Sequence, residues 1–222
     1  MIEPLFLPTI IAGDLQIRPT VRPREAFALE KYGLWRATSL AIESALRFGR
    51  DMPVGAVTID GESVSSGFFA SDMRTGYSFT HAEERAITYA GMYGLKPRLL
   101  CVNLEPCGGC QSAIASSPVE KVAFVFDREA TSSRGLINSR PGLLEEIDQG
   151  KEVGFEPIQI LDPALIKING IVFDNVQRDR TTGTVEIDRE RMRAELAVLP
   201  MIDIVPGLAS LVYEAHPDQQ QH

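Results

Sequence analysis

Cysteine is scarce and confined in this chain. There are three, Cys101, Cys107 and Cys110, all within ten residues of one another. A disulfide framework needs partners spread along the chain, so that architecture is not the natural reading. Histidine is as rare, at three, and tryptophan occurs once. Positive charge is also in short supply: 22 Lys and Arg against 30 Asp and Glu give a net charge of −8, with a pI near 5.0. Binding a long polyanion takes clustered Lys and Arg. The acidic balance therefore ranks a small-molecule substrate above a nucleic acid. Long apolar runs are missing too, and nothing approaches the roughly 20 residues that span a bilayer. The short apolar run Leu5 to Ala12 lacks a positive flank and a small-residue cleavage site. These absences predict a cytoplasmic protein with no membrane partner.

What is present suits a folded domain. Of the 222 residues, 44% are hydrophobic and 23% charged, which allows one sizeable core with elaborations. Residues 1–23 carry Pro4, Pro8, Pro19 and Pro23 and read as an extended N-terminal arm. Over 24–49, Phe27, Leu34, Ala37, Ala41, Ala45 and Phe48 recur at helical spacing and predict one apolar stripe. Tyr32 and Trp35 on that helix read as packing residues. Pro53 to Ile59 and Glu62 to Phe69 read as a hairpin about Asp60-Gly61, a strong turn signal. A polar loop, 71–80, leads to a helix over His81 to Tyr93, stopped by Gly94. Then follow a strand (Arg98 to Leu104), a helix opened by Cys107, a strand (Val119 to Phe126), a loop (127–140), a short helix (Gly142 to Gln149) and a strand (Phe155 to Leu161). This alternation predicts an α/β fold, a three-layer α/β/α sandwich with a mixed five-stranded sheet. We divide the chain into an arm (1–23), a central domain (24–161) and a C-terminal extension (162–222). The extension is expected to be partly helical over Asp188 to Leu199 and 202–215, with a disordered tail.

The chemistry concentrates between Thr80 and Cys110. His81 and Cys107-Gly108-Gly109-Cys110 offer one imidazole and two thiolates. Zn2+ takes these ligands tetrahedrally, and three protein ligands leave a fourth position open, as in a catalytic site. The cysteines lie three apart at a helix start, on one face, where helix amides favour the thiolate. Glu83 follows His81 by two residues and is expected to carry protons beside the metal. Blander readings stand beside these. Thr80-x-x-Glu83 is also a capping box with Thr80 as N-cap. A Cys-x-x-Cys can be half of a structural zinc site, but closed sites take four protein ligands. Cys101 falls inside a strand, and His216 and His222 lie in the tail. A redox dithiol is a further alternative.

The pattern His81-Ala82-Glu83, then Pro106-Cys107-Gly108-Gly109-Cys110, resembles the signature of zinc deaminases. The chain is similar to the cytidine deaminase-like superfamily, in its tRNA adenosine, guanine and cytosine deaminase branch. Met52-Pro53-Val54-Gly55-Ala56-Val57 is similar to that branch's first strand, and Leu104-Glu105-Pro106-Cys107 to its approach to the second motif. Ala113-Ile114 and Val119-Glu120-Lys121-Val122 are similar to the following helix and strand. The likeness covers roughly residues 25–161. It implies hydrolytic deamination with zinc held by His81, Cys107 and Cys110, and Glu83 as the catalytic proton carrier. It implies that Phe68, Phe69, Phe79 and Pro106 bind substrate, with the backbone at Pro106 and Cys107 orienting the attacking hydroxide. It also implies a homodimer. In the branch an Asn commonly follows the second strand and an Asp-Pro precedes the His; here Phe69 and Tyr77-Ser78-Phe79-Thr80 stand in those places. The expected function is therefore zinc-dependent deamination of a nucleobase, nucleoside or related small heterocycle. Ranked after it are base editing of tRNA or single-stranded DNA, and a non-catalytic interaction module.

Overall fold

The computed structural model describes residues 21–48, 52–61, 63–68, 81–137, 142–179, 181–182 and 184–199. The first helix, α1 (Val21–Phe48), starts earlier than the apolar stripe required. It takes in Pro23, which the first turn of a helix tolerates because its missing N–H would have no partner there. Residues 21–23, expected in the arm, are thus helical. Leu34, Ala37, Ala41 and Ala45 are buried as the spacing predicts, and Tyr32 and Trp35 pack against the core.

Strands β1 (Gly55–Asp60) and β2 (Ser63–Phe68) form the expected antiparallel hairpin. Asp60 pairs with Ser63, and Gly61 turns the chain at φ +58°, a left-handed conformation that favours glycine. Helix α2 (Ala82–Met92), strand β3 (Leu99–Leu104), helix α3 (Gly108–Ala115) and strand β4 (Lys121–Phe126) follow as read from the sequence. A five-residue helix, α4 (Arg128–Ser132), lies in the stretch expected to be a loop. It is too short to show a period. Helix α5 (Leu143–Asp148) and strand β5 (Glu156–Gln159) complete the sheet. The strand order is β2-β1-β3-β4-β5. β1 runs antiparallel to β2 and β3, while β3, β4 and β5 are mutually parallel. This is the mixed five-stranded sheet that was expected. β3 and β4 are near-continuous apolar runs because helices cover both faces.

One layer is set by close packing. A Cβ on Gly55 would lie 2.1 Å from the Ala37 carbonyl oxygen, and one on Gly33 would lie 2.3 Å from Cys101 Sγ. Glycine at these two points lets α1 lie directly on β1 and β3. The same layer takes in α6 (Pro163–Asp174), and α7 (Arg189–Ala197) packs outside α6. Between these helices a small antiparallel pair forms from β6 (Val176–Arg178) and β7 (Val185–Ile187). Leu165 and Phe173 of α6 belong to the main core, and Phe173 stacks on Phe126 at 5.6 Å. A buried polar chain fixes the contact. Asn103 Nδ2 donates to Pro53 O (3.0 Å) and to Asn169 Oδ1 (3.1 Å). Asn103 Oδ1 accepts from Gly55 N (3.0 Å), and Asn169 Nδ2 donates to Thr38 Oγ1 (2.9 Å). The predicted helix near Asp188 is α7, and the Asp188 side chain caps it by accepting from Arg191 N (3.0 Å). The expected helix over 202–215 lies outside the described residues. Among the described residues, no helix is long and apolar enough to cross a membrane.

Candidate metal centre

Parallel strands deliver their following helices to one edge of a sheet, where α/β folds place ligands. β3 ends at Leu104, and three residues later Cys107 is the N-cap of α3, in extended conformation (φ −72°, ψ 165°). α2 starts beside it, with His81 as its N-cap (φ −65°, ψ 155°). The expected N-cap, Thr80, lies outside the described residues. With His81 in the cap position, Glu83 falls in the second helical residue rather than the third, so the capping-box spacing is not met. Neither His81 nor Cys107 caps its helix through its side chain. Both side chains turn to the space between the helices.

There they meet. His81 Nδ1 lies 3.0 Å from Cys110 Sγ and 3.4 Å from Cys107 Sγ, and the two sulfurs are 3.4 Å apart. Zinc bonds of about 2.3 Å to sulfur and 2.0–2.1 Å to nitrogen imply tetrahedral edges of roughly 3.6–3.8 Å. The three ligand atoms need only a slight expansion to hold such an ion. The donor set, one nitrogen and two sulfurs, is the one zinc prefers. This is the one such cluster among the described residues. Cys101, by contrast, is fully buried in β3, and burial pushes its thiol well up. It takes no part.

The electrostatics follow from crowding. The two thiols share a proton: the hydrogen bond from Cys110 brings Cys107 down to about 3, and the bond to Cys107 together with burial pushes Cys110 up. The hydrogen bond to Cys107 raises His81. Glu83 is 4% exposed. Burial pushes its carboxyl up to about 7, against the pull of His81. It is close enough to interact with His81, Cys107 and Cys110, yet it is not one of the clustered ligand atoms.

The substrate residues named from the sequence fare unevenly. Pro106 is buried next to Cys107, and its carbonyl accepts from Gln111 Nε2 at 3.3 Å. Phe68 ends β2, but its side chain lies outside the described residues, as do Phe69 and Phe79. Two polar residues around the ligands escaped the sequence reading. Glu105 is buried and accepts backbone N–H groups from Arg128 (2.6 Å) and Leu144 (3.2 Å). Gln111 is buried one residue after Cys110. A carboxylate closing the apolar strand Leu99–Leu104 was the available signal for Glu105, since buried acids require partners. Gln111 has none in one dimension.

Residues 33–126 match the family model for the cytidine and deoxycytidylate deaminase zinc-binding region. This segment, somewhat under half of the chain, is similar to that zinc-binding region. His81, Cys107 and Cys110 all fall inside it. The curated tRNA-specific adenosine deaminase of Bacillus subtilis (strain 168) is 36% identical over 94 residues, 40% of this chain and 58% of that protein. The chain thus spans somewhat over half the length of that relative. Among solved structures, a mutant protein in complex with 8-azaguanine is 18% identical with a TM-score of 0.50, over 75% of this chain and 94% of that one. At that identity the likeness concerns the fold alone. The dCMP deaminase of the cyanophage S-TIM5 aligns at 17% identity and a TM-score of 0.44, over 65% of this chain and 100% of that chain.

Proposed function

We propose that this protein is a zinc-dependent aminohydrolase that deaminates a nucleobase, nucleoside or related small heterocycle. One observation carries the proposal. Glu83 is a buried carboxyl, held near neutrality beside the metal ligands but outside their set. That is the disposition of a proton carrier rather than of a fourth ligand. His81, Cys107 and Cys110 would hold the ion. When bound, zinc supplies the Lewis acidity that makes hydroxide available near pH 7. Glu83 takes the proton released from the water that attacks the amidine-like ring carbon. It then hands protons to the ring nitrogen and to the departing amine. One C–O bond forms and one C–N bond breaks: the water oxygen becomes the ring carbonyl, one water proton ends on the ring nitrogen and the other on the amine, which leaves as ammonia. Pro106, ahead of Cys107, would wall the base pocket together with Phe68, Phe69 and Phe79. The acidic charge balance supports a small substrate. The test is ammonia release by the zinc-loaded protein from cytosine, cytidine, adenine, adenosine and guanine. Silence across that panel with zinc bound would sink the reading.

A second reading, editing of an adenosine in tRNA, is supported by the 36% identity to a tRNA-specific adenosine deaminase. It predicts inosine in treated tRNA and binding that weakens steeply with salt. Turnover of a free base without tRNA binding at low salt decides for the first reading. A homodimer belongs to the same proposal, and sedimentation velocity checks it.

A further inference from the structure

We propose that residues 142–151 form a clasp that positions the ligand loop Glu105–Cys110, gripping it at both ends. The clasp comprises α5 and the turn after it, and lies wholly beyond the segment that matches the family model. At its front, Leu144 N donates to Glu105 Oε1 at 3.2 Å. The contact is tight, since a Cβ on Gly142 would lie 2.9 Å from Glu105 Oε2. The other carboxylate oxygen takes Arg128 N at 2.6 Å. Glu105 therefore ties the end of β3 to two separate segments. At its back, Lys151 Nζ donates to Gln111 Oε1 at 3.0 Å, and Glu146 holds the same ammonium at 2.5 Å. The Gln111 amide then donates to the Pro106 carbonyl at 3.3 Å.

Cys107 and Cys110 thus lie between two fixed points, Glu105–Pro106 before them and Gln111 after them. Both points are held through groups that the clasp supplies. Between these points Cys107 opens α3, and Gln111 N donates to the Cys107 carbonyl at 2.9 Å. Gly108 and Gly109 are exposed, and neither would bring a Cβ closer than 3.8 Å to any neighbour. The first turn of α3 sets the spacing of the two sulfurs, and the clasp fixes where that turn sits against the end of β3. Glu105, Gln111 and Lys151 are positioning residues on this account. They touch no reacting atom.

The inference rests on the metal-site reading, and cobalt(II) separates the two. Cobalt replaces zinc in such sites and gives an absorption band from its thiolate bonds. In the unaltered protein that band should appear with two thiolates' intensity. Glu105→Gln keeps size and loses charge, and should weaken cobalt binding about 10- to 100-fold, the usual cost of removing an outer-shell partner. Lys151→Met, at a half-exposed position that folding tolerates, should weaken it several-fold and shift the band, and Lys151→Arg should restore both. Competition against a chelator measures the affinities, and urea midpoints verify folding. If Glu105→Gln fails to fold, Lys151→Met decides alone. Folded variants with unaltered affinity and band overturn the clasp. Absence of the band in the unaltered protein overturns the metal site and the clasp with it.

Discussion

Ionising Glu83 works against folding. Its carboxyl titrates near 7 in the folded chain against an ordinary value of 4.5, because burial disfavours the charge. The stabilisation that comes from keeping it neutral is complete below about pH 4.5 and is lost as pH rises through 7. Glu83→Gln is neutral throughout. The metal-free variant should therefore exceed the parent in stability at pH 8, by on the order of 3 kcal/mol at most, and match it at pH 4.5. Urea denaturation at the two pH values measures the difference. The same change should lower turnover by about 10²- to 10⁴-fold, the range of general acid–base catalysis. Zinc content should stay at one per chain. Equal activity in the variant would overturn the assigned role. The cysteines give a second residue-level expectation. One proton remains on the pair and must leave when both sulfurs ligate, so zinc affinity should rise between pH 6 and 8. A flat profile in a chelator competition would contradict the shared proton.

Between elements, single contacts decide more than propensity does. Lys31 of α1 pairs with Asp162 at 2.8 Å, with side-chain exposures of 3% and 15%. Asp162 also caps α6 by accepting from Ala164 N and Leu165 N. Asp162→Ala removes the cap and strands a buried ammonium, which should cost about 3–5 kcal/mol. Replacing Lys31 with Met in the same chain should recover much of the loss. Chemical denaturation of the two variants checks both statements. The elements themselves were legible where period and punctuation agree. Leu34, Ala37, Ala41 and Ala45 gave α1 its buried face, Asp60-Gly61 gave the hairpin, and Gly94 marked the end of α2. Pro23 misled the arm's boundary because proline is tolerated in a first turn. α4 was hidden by brevity, and α6 was not singled out.

Taken whole, the molecule spreads its core beyond the segment that carries its chemistry. Leu165 and Phe173 of α6 complete the main core, and Asn169 joins the buried chain through Asn103 to Thr38. The site ligands were legible because their spacing reflects a fixed coordination geometry. The role of α6 was not, because Asn103 and Asn169 are 66 residues apart and only the folded chain makes them partners. A chain stopped after Leu161 should lose cooperative unfolding and aggregate, and a soluble fragment with a sharp thermal transition would contradict this. The metal ligands carry a different consequence. His81 and Cys107 are 26 residues apart, with all of β3 between them. An ion bound to both is a cross-link that closes a loop, and it withdraws chain entropy from the unfolded state much as a disulfide does. For a loop of this size that constraint is worth about 3–4 kcal/mol in the chain-entropy account. The site thus knots together α2 and α3, on either side of the strand that separates them in sequence.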